Sequence, residues 1–546
     1  MTRRQAAYDA VVIGAGHNGL VCAAYLARAG LRVVVLERRD QVGGMAETSE
    51  PWPGVRVPTL AHTVGRFRPT VARELRLREH GLRLVQPDVR VFAPQADGRA
   101  ITLWGDPART AAELATNDLV GARDAREYEQ VDLRTRALAR GLAQILARVP
   151  PDLAAPSLAD AFHGIRTALA TRARTRSADA GLLRAMPMAV FDLVGEWFES
   201  DALRAVVAAR GVLLTGLGPR MPGTAGVLLT DAVGHDGGLA GQTVFARGGP
   251  GALSAALASA ARAAGAEIRT DAAVARVRRE GENVRGVTLA GGEEIAAGVV
   301  VSSADPKTTL LDLLEPEVIG PRLSWRASNI RQRGVTAKLN FALRDLPHFP
   351  AAVDDPRRLR GRLLLAPSMA ALQSAAEPAK YGEIADEPLI EATIPSLADP
   401  GLIDSNRAAP IRHVLSAIVQ AASRDLRVGS WDERRHELGD IVTRTIEQYA
   451  PGFSDLVEAH QVLTPLDIER DYGAQSGHPM HAEVGLDQWF AWRPLHGFGR
   501  YRMPLHGMYL CGSGAHPGGG VTGGPGQLAA REILADLKAG HLRVSA

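Results

Sequence analysis

Asp9-Ala10-Val11-Val12-Ile13-Gly14-Ala15-Gly16-His17-Asn18-Gly19-Leu20 is the stretch from which the rest of the chain can be read. Ala10 to Ile13 are short, apolar and β-branched, the pattern of a strand buried on both faces. Gly14, Gly16 and Gly19 follow at once as G-x-G-x-x-G. A helix then turns Ala23 and Leu26 inward and stops at Gly30, a suitable C-cap. A second strand, Arg32 to Leu36, ends on Glu37. Each part has a physical task. Gly14 permits a tight turn, Gly16 lets the backbone approach a pyrophosphate, and Gly19 lets helix and strand pack closely. The helix N-terminus offers unpaired N–H groups and a partial positive charge to phosphates. Glu37 is placed to accept hydrogen bonds from ribose hydroxyls, and its charge disfavours the 2′-phosphate of NADP. The glycine pattern alone is weak. After a strand, before a helix and completed by an acid at this distance, it predicts a dinucleotide site. The plainer alternative is a glycine-rich turn without ligand.

The chain has 546 residues, 46% hydrophobic and 23% charged, which is ordinary for a folded protein and excludes a disordered or fibrous one. At ~150 residues per domain this suggests three or four domains, a rule that large α/β enzymes often break. Against 60 Asp+Glu stand 63 Lys+Arg, a net charge of +3, too even for a nucleic-acid binder. Two cysteines, Cys22 and Cys511, make neither a disulfide framework nor a zinc site. A reducing cytoplasm is the simplest compartment. No run of ~18 uncharged apolar residues predicts a transmembrane helix. Arg3 and Arg4 before an apolar stretch mimic a signal peptide, but Asp9, His17 and Asn18 interrupt it.

After Glu37 come Arg38 to Val42 and a second glycine pair, Gly43-Gly44, so another loop can approach a diphosphate and ribityl chain. This extended pattern resembles the FAD signature of the glutathione-reductase-type flavoproteins, and FAD is expected rather than NAD. Further on, Gly248-Gly249-Pro250-Gly251 opens an Ala-rich helix, and strands follow around Val274–Val277, Val284–Leu289 and Val299–Val301. At the C-terminal end an apolar strand, Met508 to Leu510, runs into Cys511-Gly512-Ser513-Gly514-Ala515-His516-Pro517-Gly518-Gly519-Gly520-Val521-Thr522-Gly523-Gly524-Pro525-Gly526 and then a helix from Gln527 to Lys538. Such a glycine density implies backbone packed against a flat or anionic ligand.

Taken together, GAGHNGLVCAAYLARAGLRVVVLE, VGGM and YLCGSGAHPGGGVTGGPG resemble the phytoene desaturase-type flavoproteins, the carotenoid and retinoid oxidoreductases. Within them the chain is similar to the desaturase-type carotenoid ketolases and to the group named pyridine nucleotide-disulphide oxidoreductase domain-containing protein 2. The stretch Thr464 to Pro494 carries the same resemblance. It implies an α/β fold: a discontinuous glutathione-reductase-type FAD-binding Rossmann domain with an α+β substrate domain including a helical insertion. The segments are 1–80, 245–310 and 500–546 for FAD, with 81–244 (mostly helical) and 311–499 for substrate. Helices are read at Ala108–Leu114, Glu127–Val149, Ala180–Gly211 and Glu433–Tyr449, and strands at Val335–Leu343 and Pro388–Ile394. FAD contacts are expected from Gly14, Gly16, His17, Asn18, Gly19, Glu37, Arg38, Gly43, Gly44, Met45, Val274, Gly512, Ser513, Gly520 and Val521.

The flavin carries the redox step, so the protein's part is binding and electrostatics. His62, Arg66 and His516 are the catalytic candidates. The plainer readings are a loop histidine bonded to backbone, a solvated or ion-paired arginine, and a histidine that only passes the flavin. His478, His481, Trp489 and Trp492 are candidates for the substrate wall. The pair His478 and His481 lacks the accompanying ligands of a metal site, and the tryptophans beside Phe490 also read as core. Cys511 reads as an inert buried thiol. Arg166, Arg172, Arg174 and Arg176 form a basic run, either a solvated helix face or a peripheral contact with anionic lipid. The expected activity is FAD-dependent dehydrogenation or oxidation of a largely apolar, isoprenoid or carotenoid-like substrate. Oxygen, a quinone or another diffusible acceptor would complete the cycle. The alternatives are an amine-oxidase-like flavoprotein and a non-catalytic binding protein on the same scaffold; the oligomeric state is left open.

Overall fold

A computed structural model describes residues 8–153, 179–234, 242–405, 410–420 and 422–542. The basic run from Arg166 to Arg176 lies outside the described residues. Strand β1 (Tyr8–Ile13) is buried at every position but the first. It runs parallel to β2 (Val33–Leu36) on one side and to strand Glu294–Ser302 on the other. Glu267–Arg269 continues the parallel array beyond β2, and Met508–Leu510 continues it beyond Glu294–Ser302. Strands from the start, middle and end of the chain therefore share one sheet of seven strands. Val274–Glu280 and Asn283–Leu289 complete it as an antiparallel meander with the beginning of Glu294–Ser302.

Helix α1 (His17–Arg28) packs on this sheet with helix Pro250–Ala263 and with the C-terminal helix Gly524–Lys538. Leu20, Val21, Cys22 and Leu26 of α1 are fully buried with Val11, Val34, Val300 and Leu528 in one core. Each large apolar side chain so enclosed contributes ~1.5–3 kcal/mol relative to exposure, and this common core holds the three chain segments together.

The second sheet also has seven strands, in the order 457–463, 336–343, 413–420, 390–393, 362–365, 89–94 and 100–104. All neighbours are antiparallel except Arg362–Leu365 beside Val89–Pro94. Among the described residues the first insertion is mostly helical, as expected, but it opens with strands that the sequence reading did not mark. Val89–Pro94 and Ala100–Trp104 are strands, because Val91, Phe92, Ala93, Ile101 and Leu103 are buried as short apolar runs that a sheet edge accepts. The expected helix over 180–211 is three helices, Asp179–Ala185, Val190–Trp197 and Asp201–Ala208. Pro187 cannot continue the first. At the second break the Asp124 carboxylate accepts the N–H groups of Glu199 (2.8 Å) and Ser200 (2.7 Å), and Ser200 caps the third helix.

Side chains alternate between the faces of this second sheet. Leu339, Phe341, Leu363, Leu415 and Ala417 pack on Leu438, Val442 and Ile446 of helix Trp431–Glu447. The opposite face carries Lys338, Asn340, Arg362, Glu391, Ser416 and Ile418. That mostly polar, buried face is where the functional site begins. Among the described residues, no helix is long and apolar enough to cross a membrane.

Candidate functional site

The turn after β1 holds Gly14 at φ +91°, and Gly16 caps α1 in extended geometry. A Cβ on Gly19 would stand 2.1 Å from the Gly14 carbonyl oxygen, so only glycine permits this approach of helix to strand. The Gly43 N–H donates to Ala15 O at 2.9 Å, and a Cβ on Gly44 would lie 3.3 Å from Gly16 Cα. The Glu37 carboxylate accepts the Ala15 N–H (2.7 Å) on one oxygen and the Arg39 N–H (3.1 Å) on the other.

These groups border a cleft of about 220 Å³. Of the residues expected from sequence, Gly14, Gly16, His17, Asn18, Glu37, Arg38, Gly44, Met45, Val274 and Ser513 line it. Arg39, Ser303, Thr308, Tyr472, Gly473 and Pro479 line it as well, and sequence alone did not single them out. His481, expected on the substrate wall, stands in this cleft instead, opposite His17. Arg38 turns its guanidinium to the carbonyls of Arg470 (3.0 Å) and Asp471 (2.5 Å), tying the cleft to helix Pro465–Tyr472. Asn18 Nδ2 donates to Ser513 Oγ at 3.2 Å, so the first glycine loop and the C-terminal one meet.

The cleft suits the adenine, ribose and diphosphate of FAD. The nearest atom to a Cβ on Gly16 is Ser303 Oγ at 3.9 Å, leaving that backbone open to an incoming group. Neither α1 nor the C-terminal helix has an acid in its first turn, so both positive ends stay available to an anion. His17 Nε2 and Asn18 Oδ1 are buried without a hydrogen-bond partner among the described residues. Burial, and then His481, push His17 down to about 4, so it is neutral.

A second chamber, of about 100 Å³, lies against Pro517 to Val521. It brings together the expected His62, Arg66, Gly520 and Val521 with Arg210, Asp231 and the apolar Leu213, Leu214, Val227 and Ile418. His62 is buried with Nδ1 3.3 Å from Ser416 O and Nε2 3.2 Å from Glu391 Oε1. Burial first, then the Lys338 ammonium, push it down to about 4. Glu391 also receives Arg210 (3.0 Å) and Arg362 (3.3 Å). Burial opposes its charge, but the two guanidiniums hold it well below the usual carboxylate range. Arg210 reaches Asp231 at 2.9 Å. Lys338 Nζ and Arg66 Nε are buried without a hydrogen-bond partner among the described residues. Burial pushes the Lys338 ammonium well below its ordinary range. Arg210, Asp231, Glu391 and Lys338 escaped notice in the sequence. For Glu391 and Lys338 the signal was a lone charge inside an apolar strand, as in Thr336-Ala337-Lys338-Leu339 and Leu389-Ile390-Glu391-Ala392, whereas Arg210 and Asp231 lie in helical segments.

Other expected residues stand elsewhere. His516 lines neither space; its ring is buried edge-on to Phe490 (5.4 Å, 83°), and burial pushes it down to about 3. Its loop backbone passes the chamber while its side chain turns into the core. His478 is buried and accepts the Met480 N–H on Nδ1 at 3.1 Å, bracing its own loop. Trp489 packs on the helical insertion, and Trp492 is 44% exposed, so neither walls the chamber. Gly512, Gly19 and Gly43 serve close packing: a Cβ on Gly512 would lie 2.5 Å from Ser303 O. Arg493 is 1% exposed and donates only to carbonyls, those of Met480, Ala482, Glu483, Gln488 and Ser513. It clamps the 480–488 loop to the C-terminal glycine loop. Cys22 and Cys511 are both buried free thiols.

A model of the NAD(P)-binding Rossmann-like domain matches residues 12–75, and one of the flavin-containing amine oxidoreductases matches residues 193–368. Pyridine nucleotide-disulfide oxidoreductase domain-containing protein 2 of Rattus norvegicus is 36% identical, across 97% of this chain and 94% of its own. The chain belongs to that family, among the phytoene desaturase-type FAD oxidoreductases. These phytoene desaturase-type relatives include a component of the limonene dehydrogenase of Castellaniella defragrans, 25% identical over 97% of this chain and 95% of that one. They also include a lycopene-forming phytoene desaturase of a Paracoccus species, 24% identical over 97% and 98%. Cyclohexylamine oxidase from Brevibacterium oxydans shares the fold, with a TM-score of 0.58 at 16% identity over 98% and 100% of the two chains. As a phytoene desaturase-type protein the chain is an oxidoreductase, and FAD is its cofactor.

Proposed function

We propose that this flavoenzyme dehydrogenates or oxidises a largely apolar substrate, of isoprenoid or carotenoid kind, in the chamber beside Pro517 to Val521. The observation that carries the reading is the chamber's wall. Leu213, Leu214, Val227, Ile418 and Val484 line it, together with Met480, which packs on Gly519 of the C-terminal glycine loop. In this reading FAD lies along residues 1–80, 245–310 and 500–546, while 81–244 and 311–499 shape the substrate's place. Bound there, FAD supplies a hydride acceptor at N5. The chain's own residues do the rest. Apolar walls exclude water, and the glycine loop on the chamber's wall leads into the helix that starts at Gly524. His62 stays neutral with one N–H to donate, to either the Ser416 carbonyl or the Glu391 carboxylate, so it orients the wall rather than carrying charge.

The names of the relatives support this reading: one belongs to a limonene dehydrogenase and another is a phytoene desaturase. An amine-oxidase-like activity is the second reading, favoured by the family model over residues 193–368. Arg66 speaks against it, because Asp231 in the same chamber is already paired with Arg210 and a protonated amine would meet an unpaired guanidinium. A diffusible acceptor such as oxygen or a quinone would reoxidise the cofactor.

Anaerobic mixing with terpenes, polyenes and amines, followed by flavin absorbance, tests the proposal. Bleaching by an apolar alkene or polyene is expected. Bleaching by amines alone would replace this reading with the second one.

A further inference from the structure

The chamber beside Val521 shares Arg210 and Asp231 with a neighbouring space of about 80 Å³, lined by Trp197, Val206, Leu228 and other apolar groups. Among the described residues, four arginines, Arg66, Arg90, Arg210 and Arg362, stand on the walls of the two spaces against two carboxylates, Asp132 and Asp231. Three of the four are paired. Arg90 meets Asp132 at 2.8 Å, Arg210 meets Asp231 and Glu391, and Arg362 meets Glu391. Arg66 alone makes no ion pair and no hydrogen bond among the described residues, Asp231 attracting it only from farther off, and its Nε is buried.

Arg66 is nonetheless accommodated with care. A Cβ on Gly520 would lie 2.3 Å from Arg66 Nη1, so the glycine at φ +96° makes room for the guanidinium beside the C-terminal loop. A guanidinium whose Nε is buried without an acceptor, while its other nitrogens face the chamber, is unfavourable, and a structure that makes room for one points to a partner for it. The local charge says which kind. Glu391 and Asp231 offset two of the three guanidiniums of Arg66, Arg210 and Arg362. One positive charge remains, and burial disfavours any added charge on Lys338.

We infer that the substrate is an apolar molecule bearing one carboxylate, which pairs with Arg66 beside Arg210 while its hydrocarbon part lies along Leu213, Leu214, Val227 and Ile418. This rests on the proposed reading of the chamber as the substrate's place. A guanidinium fork matches a carboxylate in two parallel hydrogen bonds, which gives orientation as well as affinity. An acid group anchored there fixes which carbon of a featureless chain stands next to the C-terminal glycine loop.

The test uses the FAD-loaded protein under anaerobic conditions. It is titrated with straight-chain acids from acetate to palmitate, geranic acid, the methyl esters, decylamine and decyl phosphate, and the flavin absorbance perturbation is read. The tightest acid is expected to bind roughly 10- to 100-fold more tightly than its methyl ester, the span of a charge-assisted hydrogen-bonded pair. Arg66→Gln should erase that ratio, and Arg66→Lys should keep part of it because an ammonium lacks the fork. Equal binding of acid and ester, tighter binding of the amine, or no perturbation by any acid overturns the inference. Tighter binding of decyl phosphate replaces the carboxylate with a dianion and overturns it as well. If Arg66→Gln lowers flavin content while the acid-to-ester ratio persists, Arg66 serves the cofactor and the assignment falls. Reduction of the flavin by a neutral terpene, with no preference for acids, would leave the apolar-substrate reading standing while this one fails.

Discussion

Gly16→Val and Gly19→Val separate two tasks that one motif performs. Gly16 sits at φ −64° and ψ 163°, a conformation open to valine, and the nearest atom to its Cβ is 3.9 Å away. Gly16→Val should therefore leave the fold intact, with the Tm of the flavin-free variant close to that of the flavin-free parent, since loss of a bound ligand lowers Tm by itself. Its branched side chain would point into the cleft where the diphosphate must approach. Loss of two hydrogen bonds to a charged group, at ~1.5–3 kcal/mol each, weakens FAD by ~3–6 kcal/mol, or roughly 100- to 10,000-fold. Gly19→Val has the opposite signature. Its Cβ would stand 2.1 Å from Gly14 O, where real contacts begin near 3 Å, so helix and strand must part by about an ångström. Such overpacking costs ~1–3 kcal/mol or more. Thermal melts and flavin-to-protein absorbance ratios on both purified variants give the answer. Full flavin content in Gly16→Val, or an unchanged Tm in Gly19→Val, would refute the division of labour.

Glu391→Gln should cost about 3 kcal/mol, the low end for breaking a buried ion pair, because Arg210 keeps Asp231 at 2.9 Å. Since its native carboxylate pKa is held low, that contribution exists above the usual carboxylate range and fades in acid, so melts of parent and variant should converge as pH falls. His17, His62 and His481 are pushed down to about 4 and His516 to about 3. Between about pH 6.5 and 4 the unfolded chain binds more protons than the folded one, so stability must fall with pH there. A flat Tm of the flavin-free protein over that interval would contradict the burial of these rings. Arg493→Lys supplies fewer donors to the same five carbonyls and should lower Tm by several degrees while exposing the C-terminal glycine loop to limited proteolysis. Parent-like protease resistance would show that the clamp is dispensable.

The first βαβ unit was legible because its signals are local. Ala10 to Ile13, the three glycines and Glu37 each need only neighbours in sequence to be interpreted, and they sit where the motif requires. The segments from 267 to 302 and from 508 to 538 were legible through a family resemblance and through glycine density. The second sheet was less so. Val89–Pro94 looked like part of a helical insertion because its pairing partner, Arg362–Leu365, lies far along the chain. The histidines misled for a related reason: a ring in a glycine-rich loop can face either side of its backbone. His516 turned to Phe490, whereas His481 turned into the cleft. The charged residues behind the chamber wall were hidden because each of Lys338, Arg362 and Glu391 comes from a different strand, and only the register of the sheet gathers them.

The sheet that holds the cofactor has a consequence for how the protein is made. Met508–Leu510 pairs with Glu294–Ser302, which pairs with β1 near the N-terminus. At ~5–20 residues per second, roughly 25–100 s separate synthesis of the first of these strands from synthesis of the last. Throughout that interval the nascent chain carries an unclosed, strongly apolar β edge. Closure of the sheet thus waits for the last strand, and a chain cut short before Met508 should emerge colourless and in need of chaperone protection.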